Sequence, residues 1–333
     1  MRLLVAALAD PASVARLSDE RWGALLTAAR AESLLGTLAH RLEGLAVPQK
    51  VAAILADARR DAEQARAQAL WEAEMVRRAL AGLDVPVLLL KGTAYAAAGL
   101  EAGIGRSIGD LDIMVPRDAL DCVQEALLAA GWEWVKEDAY DDLYYRTWMH
   151  ELPPLIHKER DRMIDVHHTI LPLTARPTPD AAAMIGGSVA LENGLRVPGP
   201  EDMVVHAAAH LFADGELAGG LRNLWDIRCL VGQFGERQEF WPALAARAQL
   251  HQVAPAVFRA LRLARRLYGA AVDPHVVGRA RLSDRLFERR LLARDGWGRE
   301  RRPALRLGFY VRSHWLRMPP WMLARHLWAK ARR

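Results

Sequence analysis

Residues 110–115 read Asp-Leu-Asp-Ile-Met-Val, and no other stretch restricts the fold of this chain as much. The apolar residues are those of a buried strand, yet two acids stand two positions apart within it. Successive side chains of a strand alternate between its faces. Asp110 and Asp112 therefore share one face, about 7 Å apart along the strand, while Leu111 and Ile113 fill the other. Two carboxylates that close repel each other, and an otherwise apolar strand tolerates them most easily where a cation sits between them. Hard oxygen ligands of this kind suit Mg2+ or Mn2+.

The neighbouring sequence supplies a context for that strand. Residues 87–90, Val-Leu-Leu-Leu, read as a short buried strand, followed by Lys91-Gly92-Thr93 and an alanine-rich helix. The first free N–H groups of that helix, at Thr93 and Ala94, are suited to phosphate. A glycine-rich loop carrying Gly99, Gly103, Gly105 and Gly109 leads to Asp110. Downstream, 118–130 has helical spacing and ends at Gly131, and 132–135 starts a third strand. Further strands are expected at 143–148, 155–158 and 163–167, the last two joined by a polar turn at 159–162. The strand 163–167 contains Ile164-Asp165-Val166-His167, with the same alternation as the first acidic strand. Acids converging from two strands beside a phosphate-binding turn match the needs of two-metal phosphoryl transfer.

Helical text flanks this small sheet on both sides. Residues 1–83 have apolar positions at helical spacing (Val51, Ile54, Leu55; Leu70, Trp71, Met75), and Pro48 suits a helix beginning at Gln49. The opening residues, with Arg2 and an apolar run ending Ala7-Leu8-Ala9, are too short for a secretory signal and read as a first helix. Proline- and glycine-rich segments at 172–179 and 193–200 separate the sheet from a C-terminal region expected to be helical. The division is thus 1–83, a helical segment; 84–180, the sheet-bearing core; and 181–333, a helical region with a basic tail. Charged residues interrupt every apolar stretch, so no segment is expected to span a membrane. Cys122 and Cys229 form neither a disulfide framework nor a zinc cluster, which suits a cytoplasmic location. The net charge of +5 is a property of the tail, where residues 294–333 carry eleven Lys or Arg against two acids. Trp297, Phe309, Tyr310, Trp315, Trp321 and Trp328 are interleaved with those arginines. This pattern suits an interfacial membrane helix, a nucleic-acid contact or another anionic partner, or else a helical subdomain with inward tryptophans and outward arginines.

In their order and spacing, Leu89-Leu90-Lys91-Gly92-Thr93, Arg106, Asp110-Leu111-Asp112-Ile113-Met114-Val115 and Ile164-Asp165-Val166-His167-His168 resemble the uncharacterised bacterial nucleotidyltransferase family of the DNA polymerase β superfamily. His206-Ala207-Ala208-Ala209-His210 and Leu224-Trp225-Asp226-Ile227 are similar to that family's helical region. The resemblance implies an α+β fold with a small mixed, polymerase β-like sheet between N- and C-terminal helical regions. It implies an Mg2+- or Mn2+-dependent transfer of a nucleoside monophosphate from an NTP such as ATP to an acceptor. Asp110 and Asp112 would hold both ions, and Asp165 would hold the catalytic ion and help to activate the acceptor hydroxyl. Gly92 would let the backbone approach the triphosphate, and Thr93 would replace the superfamily's usual serine. Lys91 and Arg106 are placed either to meet phosphate or to form ion pairs. The acceptor, whether small molecule, polysaccharide precursor, peptide, protein or RNA end, is not specified by any residue.

His206 and His210 stand i, i+4 on a helix, but with no H-E-x-x-H motif they are read as packing residues. His167 shares the face of Asp165 and suits a contact to a ligand or substrate, or a core position. His150-Glu151 lies near the sheet and borders the place where an acceptor would sit. No G-x-S-x-G or G-x-x-x-x-G-K-[ST] is present, which sets aside serine hydrolases and P-loop enzymes. The alternative is a non-catalytic nucleotide- or partner-binding module with the basic C-terminus as its interaction surface.

Overall fold

A computed structural model describes residues 1–136, 138–213, 217, 219–317 and 328. The chain begins with four helices: α1 (Arg2–Ala9), α2 (Asp19–Ala31), α3 (Leu35–Arg41) and the long α4 (Gln49–Ala79), which starts directly after Pro48 as expected. Ser18 caps α2 by accepting from the Arg21 backbone N–H at 3.4 Å, a cap worth about 1 kcal/mol. The sheet region follows, with β1 (Leu88–Leu89), α5 (Lys91–Ala97), β2 (Leu111–Met114), α6 (Leu120–Ala129), β3 (Trp132–Trp134), α7 (Ala139–Trp148), β4 (Leu155–His157) and β5 (Met163–His167). Next come α8 (Ala181–Gly186), β6 (Val189–Ala190) and β7 (Arg196–Val197). The remainder is helical: α9 (Pro200–Ala213), α10 (Gly220–Phe234), α11 (Phe240–Leu250), α12 (Ala254–Tyr268), α13 (Pro274–Val277), α14 (Leu282–Leu291) and α15 (Pro303–Arg317).

The fold is α+β, with seven short strands in a mixed sheet of order β3-β4-β5-β2-β1-β7-β6. At its centre β2 runs parallel to β5 and antiparallel to β1. One face of β2 puts Leu111 and Ile113 into a core that is continuous with helices from both ends of the chain. Trp225 and Phe240 are among its largest fully buried side chains. Burying aromatics of this size removes 150–250 Å2 each from water, so the helical shell and the sheet stabilise each other. The glycine-rich loop before β2 is pinned where it meets α3. A Cβ on Gly36 would lie 2.6 Å from the Gly105 carbonyl oxygen, and Gly105 itself has φ of +64°. Both positions therefore require glycine.

Two expectations from the sequence are corrected by the structure. Residues 143–148 belong to a helix, α7, and not to a strand. Their aromatic residues favour a strand in isolation, but Asp142 and Arg146 pair at i, i+4 with a 3.0 Å contact, and Arg146 also reaches Asp121 at 2.7 Å beside α6. The segment at 189–197, read as loop and helix, contributes the hairpin β6–β7. It turns at Gly194 (φ +87°), with the Asn193 side chain accepting from the Leu195 N–H at 3.2 Å. Strand β7 then pairs parallel to β1, so the sheet extends beyond residue 180.

Along the tail the aromatic residues divide. Phe309 is buried edge-on against Phe287 with ring centroids 4.8 Å apart, and Trp315 lies 4.7 Å from the Arg176 guanidinium. Trp297 and Trp328 are exposed. Trp321 and the other residues of 318–333 except Trp328 lie outside the described residues. Among the described residues no helix is long and apolar enough to cross a membrane, and Cys122 and Cys229 are both free.

Candidate active site

The parallel register of β2 and β5 sets Asp112 beside Asp165 and Met114 beside His167. In-register neighbours on parallel strands point to the same face, so this pairing brings together acids 53 positions apart in sequence. Asp110 stands immediately before β2 at an exposed position, while Asp112 is only 3% exposed. One carboxylate oxygen from each of Asp110, Asp112 and Asp165 lies within 4.8 Å of the other two. The alternation argument thus brings the three acids to one place.

Lys91, two residues after β1, opens α5 with a φ of +47°, a left-handed conformation uncommon for a side chain with a Cβ. Its ammonium meets Asp112 Oδ1 at 2.6 Å. On the other side of Asp112, the same oxygen is 3.0 Å from His167 Nε2. Burial alone would raise the Asp112 carboxyl, but the His167 hydrogen bond and the Lys91 charge hold it well below the usual range. Asp165 has no such partner among the described residues. Burial, then the charges of Asp112 and Glu151, push its carboxyl up to about 6. Neighbouring carboxyls driven in opposite directions are characteristic of functional sites. Three acids opposed by one ammonium also constitute a donor set that fits a hard divalent ion.

The other expected phosphate residues are placed differently. Arg106 forms a buried ion pair with Asp226 on α10, with its guanidinium 5.7 Å from the Tyr95 ring. Of the two roles open to it from sequence, the ion pair is the one formed. Gly92 lies beneath that side chain, and a Cβ there would collide with Arg106 Nε and come within 3.2 Å of Ile108 Cγ1. Thr93 is buried within α5.

A second polar group adjoins the acids. Residues 150–152 run antiparallel along the end of β5, with Leu152 N–H donating to the Val166 carbonyl and His168 N–H to the His150 carbonyl, each at 2.9 Å. Glu151 is thereby set opposite His167, with Oε2 at 3.2 Å from Nδ1. Burial raises the Glu151 carboxyl. Burial, then His167 and Lys91, lower the His150 imidazole. On α9, His206 is buried, and burial, then Lys91 and His210, hold it well below the imidazole range. Residues 150–151 had only their proximity to the sheet as a sequence signal, and the pairing of Asp226 with Arg106 had none, because the two are far apart in the chain. Cavities of about 380 and 450 Å3 open elsewhere, among α12 to α14 and between α1 and α12. Chemistry, not cavity size, marks the acidic face.

Comparison with known proteins gives three results. The family model described as "Uncharacterised nucleotidyltransferase" matches residues 18–269. No curated protein matches the chain. Among solved structures, the solution structure of the antibiotic-resistance factor ANT(2'')-Ia is similar at 13% identity and a TM-score of 0.39, covering 60% of this chain and 99% of its own.

Proposed function

Since the chain belongs to the uncharacterised nucleotidyltransferase family, whose model spans residues 18–269, we propose that it transfers a nucleoside monophosphate from an NTP to an acceptor hydroxyl and releases pyrophosphate. The observation that carries this reading is the in-register pair Asp112 and Asp165, with Asp110 within 4.8 Å of both and the Lys91 ammonium against Asp112. Asp110, Asp112 and Asp165 would hold Mg2+ or Mn2+, and when bound these ions supply the positive charge that a triphosphate and a developing oxyanion require. The acceptor oxygen forms a new bond to the α-phosphorus as the bond to the β-phosphate oxygen breaks. The pyrophosphate leaves, and Asp165 would take the hydroxyl proton. Lys91, at the Lys91-Gly92-Thr93 turn, faces the phosphates and keeps Asp112 ionised. Arg106 acts here through Asp226, holding α10 against that turn. The reading places the protein in the cytoplasm, with the basic C-terminus available to an anionic partner.

A binding and pyrophosphate-release screen with ATP, GTP, CTP and UTP tests this. Wild type is expected to bind one or more of them only with Mg2+ or Mn2+, and Asp110→Asn/Asp112→Asn to lose that binding. Absence of nucleotide binding under every metal condition would leave the binding-module alternative, with its basic C-terminal surface, in first place.

A further inference from the structure

The acidic face carries a second set of donor atoms that nucleotide transfer leaves unused. His150, Glu151 and His167 each present one ligand atom within 4.8 Å of the other two. Glu151 Oε2 stands 3.6 Å from His150 Nε2 and 3.2 Å from His167 Nδ1. Two ligands on a tetrahedral ion with bonds of ~2.1 Å are separated by about 3.4 Å, so these spacings suit an ion at their centre. The donors are held by the sheet itself, because the 2.9 Å main-chain hydrogen bonds on either side of Glu151 fix it opposite His167.

One unmet need points the same way. His167 lies between two carboxylates, with Nε2 toward Asp112 at 3.0 Å and Nδ1 toward Glu151 at 3.2 Å. A neutral ring carries one N–H and can donate to only one of them. A cation on the Glu151 side resolves that conflict. Nδ1 becomes a ligand, and Nε2–H donates to Asp112, the arrangement in which a carboxylate orients a metal-bound imidazole.

We propose that His150, Glu151 and His167 form a second metal site, separate from the three aspartates and selective for a borderline ion such as Zn2+ over Mg2+. Imidazole nitrogens favour zinc and its neighbours, whereas the all-carboxylate group favours hard ions. Three protein donors leave a coordination position open to water or to a ligand. Through His167 the occupied site also fixes the orientation of Asp112, so the two centres share one side chain without sharing an ion. The proposal stands independently of nucleotide transfer.

Metal-stripped protein titrated with Co2+ and followed by visible absorption tests it. One Co2+ per chain is expected, with the intense bands of a four- or five-coordinate site, displaced by Zn2+ and indifferent to excess Mg2+. His150→Ala and Glu151→Gln are each expected to weaken Co2+ binding by at least about 10-fold, while Asp110→Asn/Asp165→Asn retains it. X-ray absorption of Zn2+-loaded wild type is expected to show two imidazoles and a carboxylate, a readout that needs no variant to fold. Lack of stoichiometric Co2+ uptake, a weak six-coordinate spectrum, or undiminished binding in folded His150→Ala each overturns the proposal. Mg2+-dependent nucleotide binding, measured on the same samples, reports separately on the three aspartates.

Discussion

Asp226 lies in the helical half of the molecule between Arg106, with which it is ion-paired, and Arg222, whose Nε is 3.6 Å from its Oδ1. Asp165 lies on the sheet beside Asp112, with Asp110 close by, and no guanidinium answers it among the described contacts. The same contrast extends across the two regions. Asp202 is held by Arg247 and His251, and Asp284 by Arg262 and Arg259. For both, burial is outweighed by these partners and the carboxyl is lowered. On the sheet, Asp165 and Glu151 are raised instead. The helical half holds Asp202, Asp226 and Asp284 in compensated pairs that fasten helices together, whereas the sheet sets Asp165 and Glu151 beside Asp112, whose ammonium partner does not answer them all. Uncompensated negative charge is unfavourable for the empty protein and useful for a protein that binds cations.

The contrast fails if charge removal has the same consequence in both regions. At the sheet, Asp112→Asn is expected to lower turnover by at least about ten thousand-fold, about 5.4 kcal/mol of transition-state stabilisation, while the variant stays folded. Steady-state pyrophosphate release and circular dichroism on one preparation check both halves of this. In the helical half, Asp226→Ala leaves the buried Arg106 and Arg222 without a carboxylate, and about 3–5 kcal/mol of unfolding free energy is expected to be lost. Urea unfolding measures it, and a loss below about 1 kcal/mol would show that the pairs are not what fastens α10 to the strand–helix turn.

Asp165 provides the sharper test because its sign is reversed. Its carboxyl is pushed up to about 6 in the folded protein, so between about pH 4 and 6 the folded state binds more protons than the unfolded one. Its ionisation therefore costs stability above pH 6, and the cost is relieved as the pH falls toward 4. Asp165→Asn is expected to raise metal-free stability at pH 7 by up to about 2 kcal/mol and to flatten this part of the pH profile. Mg2+ is expected to stabilise wild type more than the variant. Thermal melts from pH 4 to 7, with and without Mg2+, decide it. Destabilisation by Asp165→Asn at pH 7 would place this acid with the compensated pairs.

What the sequence conveys follows from the range of the interactions involved. Alternation along β2 and β5 is a local signal, and so is Pro48 before α4; the three aspartates and the long helix were legible for that reason. The helix α7 was not, because Tyr144, Tyr145 and Trp148 favour strand locally while the Arg146 contact to Asp121 that helps hold the helix is tertiary. The β6–β7 hairpin has strands of two residues, too short for a period to register. Arg106 showed the charge but not its partner, since Asp226 lies 120 positions further along the chain and nothing between them signals that pairing.

Lys91 belongs to both arrangements, and its removal yields the smallest and most discriminating effect. Its ammonium is the one cation at hydrogen-bond distance from Asp112 among the described contacts, so in the empty protein it does for that acid what arginines do elsewhere. If that were its whole role, Lys91→Met would cost some stability and leave nucleotide affinity alone. The proposed function requires more, because the same ammonium competes with Mg2+ for Asp112 Oδ1 and also attracts the phosphates. Lys91→Met is therefore expected to bind Mg2+ alone somewhat more tightly and the Mg2+–nucleotide complex about 10-fold more weakly, a loss of about 1.4 kcal/mol. Calorimetric titration with Mg2+ alone and then with nucleotide separates the two. Opposite shifts mark Lys91 as part of the site, and parallel shifts or none make it another buried pair.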